Sequence, residues 1–253
     1  MKLNYKTVGE GYPLIILHGL FGSSDNWISI ARKLEDNRKI YLLDQRNHGD
    51  SPHSDVFNYQ DMASDLKEFI DDHKLSRVDL MGHSMGGKTA MLFAIQYPEL
   101  VNKLIVVDIA PKYYPTHHDT IIKGLKSIDL QNIKSRNEAD AALAKYVPTV
   151  GIRQFLLKNI KRTSEGFEWK INLSVIEKEI VEVGKALPEK ALFEKPTLFI
   201  RGQLSNYILD EDMKLIQIHF PKSELVTINK ASHWVHAEQP DLFLEETIKF
   251  ING

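Results

Sequence analysis

Cysteine is absent from all 253 residues. That removes disulfides, thiolate nucleophiles and Cys-ligated zinc or iron–sulfur centres, so covalent chemistry must use another side chain. Apolar runs of membrane-spanning length are absent too. The opening MKLNYKTVGEG has no apolar stretch leading to a small-residue cleavage site, and a soluble, cytoplasmic protein without a membrane span is expected. Neither sign of charge is in excess: 32 Lys and Arg stand against 34 Asp and Glu, so no global field draws the chain onto nucleic acid. What is present is globular in character. Hydrophobic residues at 43% and charged residues at 26% exclude a disordered chain, a collagen-like repeat and a coiled coil. The length suits one large domain or a domain carrying an insert.

Short apolar, β-branched runs at 13–17 (PLIIL), 39–43 (KIYLL), 77–81 (RVDLM), 103–107 (KLIVV), 196–201 (PTLFIR) and 223–228 (SELVTI) read as strands buried on both faces. Residues 25–34, 59–73, 85–97 and 210–220 carry helical spacing between them; in the second, Met62, Leu66, Phe69 and Ile70 share a face. This alternation predicts an α/β fold, a mostly parallel sheet with helices on both faces, and residues 3–8 as an antiparallel edge strand. The pattern breaks at 112–194, where four short amphipathic helices and no strand are expected. A helical lid over 112–194 would then interrupt a core of 1–111 and 195–253.

The strongest motif is Gly82-His83-Ser84-Met85-Gly86, which follows one predicted strand and opens a predicted helix. G-x-S-x-G in that setting is a nucleophile elbow: the tight turn lifts Ser84 above the sheet, and side chains at Gly82 or Gly86 would collide with neighbouring backbone. The hydroxyl then sits at a helix N-terminus, where the N–H of Met85 can receive a developing oxyanion. His18-Gly19-Leu20-Phe21-Gly22, leaving the strand at 13–17, can offer a second N–H from Leu20, with Phe21 as a pocket wall; His18 reads as a buried turn histidine. His233, on the loop after the last strand, is placed to act as base. Trp234 beside it is a candidate substrate contact, and His236 is expected to pack or lie exposed.

For the acid, Asp44 and Asp108 both end predicted strands, where ligands gather in parallel sheets. The order Ser, acid, His favours Asp108; Asp44 is expected to pair with Arg46. Ser205 stands where a triad Asp is often found and would support His233 by a hydrogen bond. Asp210 and Asp212 read as a helix start. His48 should steady its own loop, and His117-His118 read as a solvated lid turn rather than a metal site. A rival reading shares the elbow: Gly82 to Thr89, GHSMGGKT, also fits the P-loop pattern, with Lys88 facing phosphates. It gives His233 no role; otherwise Lys88 is only a helix residue near the elbow.

Together HGLFGSSDNW, DQRNHGDSPHS, GHSMGGKTAM, VVDIAP and HWVHAEQP resemble the YbfF-type esterases of the α/β-hydrolase superfamily. The resemblance covers both halves of the core but not the lid. It implies an eight-stranded sheet with a helical lid and metal-free, cofactor-free hydrolysis of esters and acyl-CoA thioesters. It also implies a triad acid at Asp108 and a serine at position 205. Ser232 departs from the glycine that relatives carry before the histidine, which bears on the set of that loop. The expected partner is a small acyl ester or acyl-CoA. A serine nucleophile argues against epoxide-hydrolase or dehalogenase chemistry, which in this fold uses Asp, and leaves C–C hydrolysis open. A hydrolase-fold receptor with weak turnover is the remaining alternative.

Overall fold

A computed structural model describes residues 1–253. In chain order the elements are β1 (Tyr5–Val8), β2 (Tyr12–Leu17), α1 (Ile28–Leu34), β3 (Arg38–Leu43), α2 (Tyr59–Asp72), β4 (Val78–His83), α3 (Met85–Gln96) and β5 (Val101–Val107). There follow α4 (Asp119–Lys126), α5 (Arg136–Ala144), α6 (Val150–Leu157), β6 (Ile160–Thr163), β7 (Gly166–Trp169), α7 (Leu173–Lys178) and α8 (Ile180–Val183). The chain ends with β8 (Thr197–Gly202), α9 (Met213–His219), β9 (Ser223–Ile228), α10 (Val235–Glu238) and α11 (Pro240–Asn252).

The main sheet has the order β1-β3-β2-β4-β5-β8-β9, parallel except for β1, which pairs antiparallel with β3. The edge strand expected near 3–8 is therefore present. Seven strands stand where the resemblance implied eight. A single antiparallel strand precedes β2, and the residues ahead of it are spent on side-chain contacts: the Met1 amine meets Asp65 at 2.7 Å, and the Asn4 amide donates to Asp44 at 2.8 Å.

The two-residue period of buried strands divides the core. Ile15, Leu17, Leu80, Leu104, Val106 and Phe199 face one side, packing with α2, α3 and the insertion. Leu14, Ile16, Met81, Ile105, Val107 and Ile200 face the other, against α1 and α11. Each such side chain contributes about 1.5–3 kcal/mol on burial. Helix α2 begins at Asn58, whose side chain accepts from the Asp61 N–H at 2.9 Å, and buries the expected Met62, Leu66, Phe69 and Ile70.

Between β5 and β8 the chain departs from the helical expectation. Five helices form, and with them an antiparallel hairpin, β6–β7, which turns through Ser164 and Glu165 and resumes at Gly166 with φ +136°. Ile160–Thr163 (IKRT) is too short and too charged to announce a strand, and its Ile160 reads equally well as the end of the preceding helical stripe. No helix is long and apolar enough to cross a membrane.

Candidate active site

The turn at Ser84 is forced by the sequence around it. Ser84 holds φ 53° and ψ −118°, a conformation that an L-residue with a side chain adopts only when its surroundings impose it. Those surroundings include Gly82, where a Cβ would stand 2.1 Å from the Gly86 carbonyl oxygen. Backbone hydrogen bonds lock both sides: the Ser84 N–H to Val107 O and the Lys88 N–H to Ser84 O, each at 3.0 Å. As the first residue of α3, Met85 has no helical partner for its N–H.

Leu20 and Phe21 lie on the neighbouring β2 loop, with Phe21 also at positive φ, 59°. This backbone is gripped from two directions. The Phe21 N–H donates to His48 Nε2 at 3.1 Å, and the Asn159 amide, from the insertion, donates to the Phe21 carbonyl at 2.7 Å. Neither Leu20 nor Met85 has its N–H taken by another group. His18 is buried, as expected for a turn histidine, with Nδ1 against the Gly19 carbonyl and Nε2 accepting from the Gln45 N–H.

On the opposite wall, Asp108 ends β5 in a left-handed conformation (φ 51°) and is fully buried. Its Oδ2 meets His233 Nδ1 at 2.8 Å and accepts from the Ser205 hydroxyl at 2.5 Å, while Oδ1 accepts from the Gly202 N–H at 3.1 Å. The His233 loop lies directly on Gly202, where a Cβ would fall 2.2 Å from the Ser232 carbonyl. Ser232 is not loose: its N–H and hydroxyl both bind the Glu238 carboxylate, at 2.7 and 2.5 Å. Ser84, His233, Leu20, Phe21 and Trp234 line one cavity of about 210 Å³. No hydrogen bond joins Ser84 to His233 here, a link that in hydrolases often tightens only once substrate is bound.

Several side chains at this site were invisible in the motifs. His83, the variable residue within the elbow, places Nε2 2.8 Å from the His233 carbonyl; burial, then the neighbouring His233 and His236, push its pKa well below the usual histidine range. Tyr207 stacks on His233, ring centroids 4.0 Å apart and 19° between planes, and its hydroxyl meets His117 Nε2 at 3.0 Å. His118, expected in a solvated turn, is half-buried against the cavity, and burial lowers it to about 4. The position of His83 next to Ser84 was the one available signal.

Two expectations are corrected. Asp44 does not pair with Arg46: that guanidinium turns to buried Asp65, at 2.7 Å. Asp44 instead accepts from the Ser24 N–H at 2.7 Å and the Asp50 N–H at 3.0 Å. Arg46 stands in the turn that follows β3, where its guanidinium reaches α2 and makes two hydrogen bonds to the buried Asp65. Lys88 is more than a helix residue. Its side chain is fully buried, and its amine donates to the carbonyls of Lys112 and Lys185, tying both ends of the insertion to α3. Burial, with Lys112 nearby, lowers it to about 7. An amine so engaged does not face a phosphate cradle, and the P-loop reading loses its lysine.

A doubly covered parallel sheet with a serine on a strained strand-to-helix turn, an acid and a histidine arriving from later loops, defines the class of α/β-fold hydrolases. Residues 12–126 match the family model described as alpha/beta hydrolase fold. The sn-1-specific diacylglycerol lipase ABHD11 of Danio rerio is 39% identical over 252 residues, covering 96% of this chain and 79% of that protein. Esterase YbfF of Escherichia coli is 34% identical, covering all of both chains. The solved structure of a marine microorganism esterase superposes with a TM-score of 0.96 at 49% identity, covering 98% of this chain and 99% of that one. The chain belongs to the α/β-hydrolase family of esterases and lipases, and it is a hydrolase enzyme.

Proposed function

We propose that the protein is a serine esterase working through an acyl-enzyme on Ser84. The observation that carries this reading is the short Asp108–His233 hydrogen bond, at 2.8 Å, beside a cavity that Ser84 also lines. On substrate binding, His233 Nε2 takes the proton of the Ser84 hydroxyl as that oxygen attacks the carbonyl carbon. Asp108 holds the proton on Nδ1 and stabilises the imidazolium that forms. Charge on the carbonyl oxygen is received by the free N–H groups of Leu20 and Met85. His233 then gives its proton to the departing alcohol or thiol, and water releases the acid by the same path. Ser205, donating to Asp108 Oδ2, steadies the acid, and Phe21 and Trp234 bound the substrate. Residues 112–194 serve as a lid, its ends held by Lys88.

Oxyesters and acyl-CoA thioesters are both within this chemistry, since the leaving group needs only one proton. Kinetics on p-nitrophenyl butyrate test the assignment: Ser84→Ala is expected to lower kcat by about 10⁴-fold or more with the fold intact by circular dichroism. Near-normal turnover by that variant would reject the mechanism. Slow turnover of every ester tried, alongside tight binding of one ligand, would favour the receptor alternative.

A further inference from the structure

Both ends of the β6–β7 hairpin reach loops of the core. Asn159 stands just before β6, buried, with its backbone pinned twice: its N–H donates to the Leu156 carbonyl at 3.1 Å, and its carbonyl accepts from the Lys170 N–H at 2.8 Å. From that fixed place its amide donates to the Phe21 carbonyl at 2.7 Å, which accepts from no other group. Beyond β7, Asn172 docks on the loop after β3. Its N–H donates to the Asn47 carbonyl at 3.0 Å and its amide to the Asn47 side chain at 3.2 Å. His48, next after Asn47, receives the Phe21 N–H on Nε2 at 3.1 Å. Both polar groups of one backbone residue are thus held from the same hairpin, one directly and one through a docked loop.

Phe21 needs that hold. The Gly22 N–H closes a turn onto the Gly19 carbonyl at 2.9 Å, and Phe21 sits inside it at φ 59°, in the left-handed region that favours glycine. A residue with a β-carbon stays there only where its surroundings over-determine it. The same turn carries Leu20. The Gly19 carbonyl is bound by Gly22 and by His18 Nδ1 at 2.8 Å, so across the planar trans peptide the Leu20 N–H faces the other way. This backbone runs against the nucleophile: a Cβ on Gly19 would stand 3.3 Å from the Ser84 Cβ. His48 Nδ1 meets the Arg46 carbonyl at 3.0 Å, which places the ring proton there and leaves Nε2 as the acceptor. Burial, then the neighbouring His18, push His48 down to about 3, so that acceptor persists at neutral pH.

Resting on the serine-esterase reading, we infer that Asn159 is a positioning residue for the oxyanion: the docked hairpin, through Asn159 and His48, holds Phe21 in its strained turn and so keeps the Leu20 N–H set toward Ser84. The insertion is then part of the catalytic apparatus as well as a cover. Asn159 itself touches no reacting atom. Without its amide the buried Phe21 carbonyl is left unpaired, and the turn gains by relaxing toward negative φ, which shifts the peptide units that frame Leu20. The loss falls on the transition state, where charge on the carbonyl oxygen grows, and spares binding of the uncharged ground state.

A pair of ketones tests this. With 1,1,1-trifluoropentan-2-one the Ser84 Oγ–C bond forms, the carbonyl π pair moves onto oxygen and the hydroxyl proton passes to His233, giving a charged hemiketal; pentan-2-one fills the same space without adding. Asn159→Leu, similar in size and lacking the donor, should lower kcat/KM on p-nitrophenyl butyrate by about 10–100-fold and raise the trifluoropentanone Ki by a matching factor. The pentanone Ki should change by less than about twofold. His48→Leu removes the grip on the other side of Phe21 and should move the same two constants in the same direction, so the test survives if one variant fails to fold. Wild-type kcat/KM and trifluoropentanone Ki in both variants would overturn the inference. So would an equal weakening of both ketones, which makes Asn159 a pocket wall, or a loss of rate that only follows the folded fraction seen by circular dichroism. Wild-type enzyme that neither hydrolyses the ester nor forms the hemiketal would instead contradict the esterase reading beneath it.

Discussion

Asp44 and Asp108 end two strands of the same parallel sheet, both essentially sealed from water, yet they are partnered in opposite ways. Asp44 is surrounded by fixed donors: the Ser24 and Asp50 N–H groups and the Asn4 amide. Burial pushes its pKa up, but the adjacent His18 and these hydrogen bonds outweigh that and hold it below the usual carboxylate range. Its role is to freeze a loop. Asp108 has one backbone donor, Gly202, and turns its other oxygen to two side chains, Ser205 and His233. A carboxylate tied to amides organises structure, whereas one tied to an imidazole can respond to a proton arriving on the far nitrogen.

The comparison is broken most sharply by exchanging each acid for its amide. Asp108→Asn should lower kcat by about 10⁴-fold through the wrong imidazole tautomer, with the denaturant midpoint changed little. Asp44→Asn should do the reverse, costing on the order of 2–3 kcal/mol in urea unfolding as charged hydrogen bonds become neutral ones, while turnover per folded molecule falls far less. The sign with pH follows. Because its folded pKa is depressed, Asp44 contributes stability in full above its unfolded value of 3.8, and loses it as pH falls through the lower folded value. The gap between wild type and Asp44→Asn should therefore close in strong acid. A severe kinetic loss confined to Asp44→Asn would invert the assignment.

A smaller effect sharpens the Asp108 side. Ser205→Ala removes one donor from Oδ2 and leaves Gly202 and His233 in place, so kcat should fall by roughly tenfold. No loss would reduce Ser205 to a loop contact with no bearing on the acid.

Much of this was legible in the chain because the elbow, the strand ends and the order of Ser84, Asp108 and His233 are local features carried by glycines and apolar runs. Ser205, a hydroxyl where a carboxylate is often found, was expected to support His233 and instead donates to Asp108, the acid that His233 binds. What escaped notice depends on distant segments meeting. Nothing near Lys88 in sequence announces the carbonyls of Lys112 and Lys185. Nor do the motifs announce Asn159, reaching from the insertion to Phe21, or Tyr207 stacked on His233. The β6–β7 hairpin was missed because its four-residue strands, IKRT and GFEW, are too short to display a two-residue period. Arg46 was misassigned to its neighbour in sequence because Asp65, its actual partner, becomes adjacent only when α2 packs on the sheet.

The central claim is that the Ser84 oxygen carries the acyl group during turnover. Intact-mass spectrometry of enzyme quenched in acid within milliseconds of mixing with p-nitrophenyl butyrate tests this directly. The account predicts a butyryl adduct that maps to the peptide containing Ser84 and is missing from Ser84→Ala; steady hydrolysis with no adduct, or an adduct on another residue, would contradict it.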